Sequence, residues 1–145
     1  MNTIQFFVQG IPVGKGSMKA FVPPGRKYPV VVHDSSRSKP WATLISQTAT
    51  DLAAATILGP VALTLDFKMP RPDYHYGTGS NSLCLKANAP HWHTKKPDLD
   101  KLTRLVCDSL TGILWQDDNQ VTSISASKEY ADDHKTGVTI TIGAL

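Results

Sequence analysis

Four aspartates, Asp98/Asp100 and Asp117/Asp118, form two tight pairs within residues 95–121, KKPDLDKLTRLVCDSLTGILWQDDNQV, of a net basic chain. Carboxylates that converge suit a hard divalent cation. Mg²⁺ takes oxygen ligands, usually one or two carboxylates with waters and phosphate oxygens completing the shell. Such an ion lowers the pKa of a bound water and neutralises charge on a phosphodiester transition state, and a neighbouring Arg or Lys adds to that stabilisation. The same residues have an ordinary use. Asp98 suits an N-cap, and Asp117-Asp118-Asn119 suits a polar turn. Spacing bears on the choice. Asp98 and Asp100 are two apart, so an extended backbone places both on one side. Arg104 follows Asp100 by four residues, one helical turn along the same face. A helix of about 14 residues, roughly 21 Å long, separates the pairs. They meet only if the following segment runs back beside the helix, or if a second copy supplies one pair. Both routes are open from sequence.

The elements that must position these residues are legible in outline. On a helical wheel Leu102, Leu105, Val106, Ser109, Leu110 and Ile113 share one stripe, with Asp100, Arg104, Asp108 and Thr111 opposite. The stripe predicts a core-facing helix that starts near Pro97 and frays near Gly112. Trp115 is expected in the core. Alternation in VALTLDFKM, residues 61–69, predicts a strand. TIQFFVQG, VVVHD, QVTSISASKEY and TGVTITIGAL are further strand candidates, and KAFV a brief one. Residues 40–57 are expected as a helix, with Trp41, Leu44, Ile45, Leu52 and Ala55 inward. Residues 70–97 form a long loop-like insert of the kind that is usually functional or mobile. The order predicts an α+β single domain over residues 1–145, a mixed β-sheet packed with two main helices.

Charge is unevenly placed. The net charge is +3, yet residues 1–41 hold six bases and one acid, whereas residues 117–145 hold five acids and two bases. This points to an anionic partner facing the N-terminal part, nucleic acid being the commonest. Lys15, Lys19, Arg26, Lys27 and Arg37 are the expected phosphate contacts there. Lys95, Lys96 and Lys101 extend the set beside the acids. Trp92 and His91 suit stacking on an unpaired base, or simple anchoring of the loop. His91 and His93 with Cys84 make a weak zinc pattern. Gly14-Lys15-Gly16-Ser17 lacks phosphate-loop spacing, which argues against ATP, and Asp132-Asp133 is assigned to a turn. Cys84 and Cys107 are read as free thiols of a reducing compartment. No membrane-length apolar run and no signal-peptide pattern are present, so a cytoplasmic protein is expected.

From Pro97 to Val121 the pattern P-D-L-D-K-L-x-R-x-x-x-D-x-L-x-G-x-L-x-x-D-D-x-Q-V resembles the core signature of the RusA family of Holliday junction resolvases, approximately D-[LI]-D-N-L-x-K, D-A-L and D-D-x-Q-[VI]. Residues Gly10 to Phe21, Pro40-Trp41 and Met69 to Pro72 also look like phage-type members. The resemblance implies a RusA-like fold and a homodimeric endonuclease dependent on Mg²⁺, with Mn²⁺ able to substitute. It would nick four-way DNA junctions in symmetric pairs in a bacterial or phage-infected cell, serving recombination and repair. By motif position the metal ligands fall on Asp98, Asp100 and Asp118 with Asp117 as companion, and Asp108 matches a further family acid. The catalytic set would be those three acids and Arg104. Two positions depart from the family: Lys101 replaces the usual Asn, and Arg104 the usual Lys. A non-catalytic branched-DNA-binding module and a small metal-dependent phosphohydrolase are the alternatives.

Overall fold

The computed structural model describes residues 3–16, 18–33 and 37–145, with the backbone alone for 18–21 and 30–33. Strand alternation sets its main layer. In β4 (Val61–Met69) every second residue is buried, and Val61, Leu63, Leu65, Phe67 and Met69 are at most 2% exposed. β6 (Gly137–Ala144) pairs with it antiparallel and adds Val138, Ile140 and Ile142 to the same core. β1 (Thr3–Gln9) flanks β6 antiparallel, and β5 (Val121–Tyr130) flanks β4 in parallel. The sheet order is β1-β6-β4-β5, a mixed sheet as expected, with β5 at an edge. A separate two-stranded ribbon pairs β2 (Met18–Phe21) with β3 (Val30–His33).

Two helices cover the buried face. α1 (Ser38–Asp51) contributes Trp41, Ile45 and Ala49, and α2 (Leu99–Leu110) contributes Leu102, Leu105, Val106 and Leu110. The Ser46 hydroxyl joins them, donating to the Ser109 carbonyl at 2.8 Å. α1 is shorter than the expected 40–57. It ends where Ala53 turns to φ +51°, and Ile57 then donates its N–H to the Leu114 carbonyl at 2.8 Å. Ala49 takes the inward place by the i, i+4 repeat from Trp41 and Ile45, leaving Leu44 and Leu52 about two-fifths exposed. In α2 the predicted stripe is the buried face, and Gly112 at φ +88° turns the chain away beyond it. Trp115 is fully buried, as expected.

Parallel neighbours cannot be joined by a tight turn. The chain from β4 to β5 therefore crosses over through the insert and α2, and β5 runs back beside the helix. Asp117 and Asp118 precede β5, however, and Asp118 stays at the helix exit beside Thr111, so the return does not bring the two acid pairs together.

Candidate active site

α2 presents one polar face to a cleft of about 810 Å³, lined by Asp100, Thr103, Arg104, Cys107 and Asp108 from the helix. Across it stand Asp118 and then Val121, Ile124 and Ala126 of β5, and Lys15 reaches in from the N-terminal loop. The predicted residues Asp100, Arg104 and Asp118 thus share one cleft, joined by Asp108. Asp100 and Asp108 are eight residues apart on the helix, about 12 Å along its axis. Asp118 lies at the Asp108 end, where the Thr111 hydroxyl meets its carboxylate. That hydroxyl also lies 2.7 Å from the Cys107 carbonyl and accepts from the Trp115 indole N–H at 3.0 Å. Trp115 in the core thereby fixes the threonine that holds Asp118.

The other predicted acids sit elsewhere. Asp98 is the N-cap residue of α2 but makes no side-chain capping bond. It lies 3.6 Å from the Lys101 ammonium and lines a neighbouring cleft. Asp117 caps a single 3-10 turn, Asp118–Gln120, accepting from the Asn119 N–H at 3.1 Å, while Gln120 reaches back to the Asp117 N–H at 2.9 Å. The turn reading holds for Asp117, whose carboxylate fixes the backbone that carries Asp118, whereas the side-chain cap expected of Asp98 is not made. Among the described residues no three His, Cys, Asp or Glu side chains gather closely enough to hold a metal ion. The four acids expected as one ligand set are therefore divided between two clefts and a cap.

The field in the acid cleft is felt at its one thiol. Burial first, then the carboxylates of Asp118 and Asp108, push the Cys107 pKa up to about 11. Lys15 offsets part of this negative charge through an ion pair with Asp108. Arg104 is exposed, and its guanidinium makes no ion pair among the described residues.

The neighbouring cleft, about 1090 Å³, is the basic one. Lys15, Arg37, Lys96 and Lys101 line it with Asp98 and His93. Its floor is the Ile11–Gly16 loop, which straps α2: the Lys15 N–H donates to the Lys101 carbonyl at 3.1 Å. The strap lies so close that a Cβ on Gly14 would sit 3.0 Å from the Lys101 Cβ. Arg26 and Lys27 are exposed on the β2–β3 turn, and Lys95 is exposed beside Lys96. The side chain of Lys19 lies outside the described residues.

The insert carries groups that sequence reasoning missed. Tyr130 is packed between the rings of His75 and His93, with the Arg71 guanidinium 5.1 Å from its centroid. Arg71 also pairs with Asp132 at 2.8 Å and donates to the Pro90 carbonyl at 2.7 Å. Asp132, assigned to a turn, thus anchors the insert. The weak zinc pattern comes apart: His93 is buried, His91 is exposed and pairs with Glu129, and Cys84 is exposed. Trp92 is 59% exposed.

The chain is thus a small α+β domain with an acid-lined cleft beside a cation-lined one. The sequence model of the family described as "Endodeoxyribonuclease RusA" matches residues 13–142. The chain belongs to the RusA endodeoxyribonuclease family. It is also 30% identical over 144 residues to "Uncharacterized protein YqaN" of Bacillus subtilis (strain 168), covering 97% of this chain and 96% of that protein.

Proposed function

We propose that this chain is a divalent-cation-dependent, structure-selective endonuclease of branched DNA. It acts as a homodimer that nicks four-way junctions in symmetric pairs, leaving 5′-phosphate and 3′-hydroxyl ends. The observation that carries the reading is the single cleft shared by Asp100, Arg104 and Asp118, which opens beside the Lys15–Lys101 groove.

The donor set fits Mg²⁺ in kind, since every candidate ligand is a carboxylate oxygen and this ion needs only one or two from protein. By family position Asp98, Asp100 and Asp118 would be its ligands, but Asp100 and Asp118 stand at opposite ends of the cleft, so the two would have to close on an ion to share it. When bound, the cation supplies Lewis-acid neutralisation of the phosphodiester charge. Arg104, free of carboxylate partners among the described residues, is available for the non-bridging oxygens of the scissile phosphate. It stabilises charge and does not transfer a proton, because a guanidinium stays protonated up to pH of about 12. Lys15, Arg37, Lys96 and Lys101 draw the backbone along the groove. A twofold dimer matches the symmetry of a four-way junction and gives two equivalent incisions.

Asp100→Asn and Asp118→Asn test the assignment. Each is expected to lower nicking of a labelled junction by about 100-fold or more, the scale for removing one preorganised electrostatic contact, while junction affinity in EDTA is kept. Nicking at wild-type rate in both variants would refute it. A non-catalytic DNA-binding module is the second reading, favoured by the division of the four acids. It predicts tight junction binding and no Mg²⁺-dependent nicks.

A further inference from the structure

The segment that leads into α2 is held by one side chain that no motif includes. Residues 91–93 run along the free edge of β5: the Tyr130 N–H donates to the His91 carbonyl at 3.0 Å, and the His93 N–H to the Lys128 carbonyl at 3.4 Å. The chain then leaves the strand and must reach Asp98 at the helix start. There the Lys128 ammonium takes over, donating to the Lys95 carbonyl at 2.5 Å and the Pro97 carbonyl at 2.7 Å. Lys128 is even-numbered on β5, like Ile124 and Ala126, so it stands on the strand face that walls the acid cleft. It is half-buried at the end of that wall, next to the first turn of α2. Burial lowers its pKa and the Asp98 carboxylate works against that shift, so cation and carboxylate lie in each other's field.

These contacts give Lys128 a function distinct from the surface cations. An ammonium has three donors; two tie down the carbonyls that precede Asp98. We propose that Lys128 is a positioning residue for the acid cleft: it clamps the Lys95–Pro97 backbone and so sets where Asp98 and Asp100 are delivered. The inference rests on the endonuclease reading for its catalytic consequence, but the clamp itself does not.

Two measurements on the full-length protein separate these. Amide hydrogen exchange is followed in the wild type, Lys128→Met and Lys128→Arg without added metal. Lys128→Met keeps the length of the stem and removes the donors. It is expected to speed exchange at His93 and Leu102, whose N–H groups donate to the Lys128 and Asp98 carbonyls, by at least about tenfold, with β1, β4 and β6 unchanged, and Lys128→Arg is expected to restore most of the protection. Nicking of a labelled four-way junction in Mg²⁺ is then expected to fall at least about tenfold in kcat in Lys128→Met, with KM for DNA near wild type and partial recovery in Lys128→Arg. Unchanged exchange at His93 and Leu102 in Lys128→Met overturns the clamp. Faster exchange with undiminished kcat overturns its role in positioning the acids. General loss of protection across the strands would reduce Lys128 to a stability residue and overturn the proposal too. If the wild type nicks no DNA, the endonuclease reading fails by itself, while the exchange result still decides the clamp.

Discussion

At the scale of single residues the acid cleft works by difference of environment. Asp118 is held by a hydroxyl that the buried Trp115 fixes in place, whereas Asp117, its neighbour in sequence, spends its carboxylate on a cap. Adjacent aspartates thus differ in place: one faces the cleft and the other caps a turn. Arg104 lies between the Asp100 and Asp118 ends of the cleft with no carboxylate partner among the described residues. If its part is charge stabilisation, Arg104→Lys should retain nicking within about tenfold, and Arg104→Ala should lower it by about 100-fold or more. Single-turnover nicking rates check this. A large loss in Arg104→Lys would mean that the bidentate guanidinium geometry matters. A gain would mean that a transferable proton had been missing.

At the scale of elements, α2, β5 and the insert share the work. α2 carries Asp100, Arg104 and Asp108, the turn before β5 sets Asp118 at the helix exit, and the Tyr130 cluster pins the insert that feeds α2. His75 and His93 have pKa values lowered by burial first, with Arg71 and Lys86 adding to the effect at His75 and Lys128 at His93. In the unfolded chain each takes up a proton near its ordinary pKa of about 6.5, while the folded cluster resists. The unfolded form therefore binds more protons below that pH, so stability is kept above it and lost as pH falls toward the folded values. Asp132 acts in the same sense lower down. Its hydrogen bond from Arg71 holds its pKa below the ordinary carboxylate value, and the stability this gives is lost on acidification below about pH 4. Acidification from about pH 7.5 to about 5.5, across the ordinary histidine pKa, should loosen residues 71–97 before the sheet. Hydrogen exchange corrected for intrinsic rates would show faster opening in the insert with β4 and β6 unchanged. Uniform opening of all elements would contradict a locally pinned insert.

These elements also show what can be seen in a sequence. β4 and α2 were legible because burial of one face writes its own period, two in the strand and 3.6 in the helix. The end of α1 was not, since alanines continue a helical composition past Asp51 and only the backbone turn at Ala53 stops it. The candidate acids were found by type and spacing, and so was the face that joins Asp100 to Arg104. Their division between two clefts was not legible. It depends on the Ile11–Gly16 loop, which straps the start of α2 and puts Asp98 in one cleft and Asp100 in the other, a contact between segments far apart in sequence. Lys128, Arg71 and Asp132 left no local signal, because their partners lie about 30 to 60 residues away in sequence.

At the scale of the whole molecule, cations and carboxylates are sorted onto adjoining surfaces. The basic groove and the exposed Arg26 and Lys27 on the β2–β3 turn form an electrostatic footprint far larger than the net charge of +3 conveys. Binding to DNA should weaken linearly in log K against log salt. Replacing Arg26 and Lys27 together by alanine should reduce that slope by about 2, since each phosphate that a cation neutralises adds roughly 0.9 to it. Titrations in EDTA between about 50 and 200 mM salt, a range in which counterion release is readily read, measure it. An unchanged slope would put the DNA path elsewhere. No described helix is long and apolar enough to cross a membrane.

Whether the Asp100–Arg104–Asp118 cleft cuts branched DNA with the help of a divalent cation is tested most directly by incubating the purified protein with an end-labelled four-way junction and a matched linear duplex, in Mg²⁺ and in EDTA, beside Asp100→Asn. Paired symmetric nicks in the junction alone, absent in EDTA and in the variant, are the expected result. Tight junction binding without nicks in Mg²⁺, or nicks that persist in EDTA or in Asp100→Asn, would contradict it.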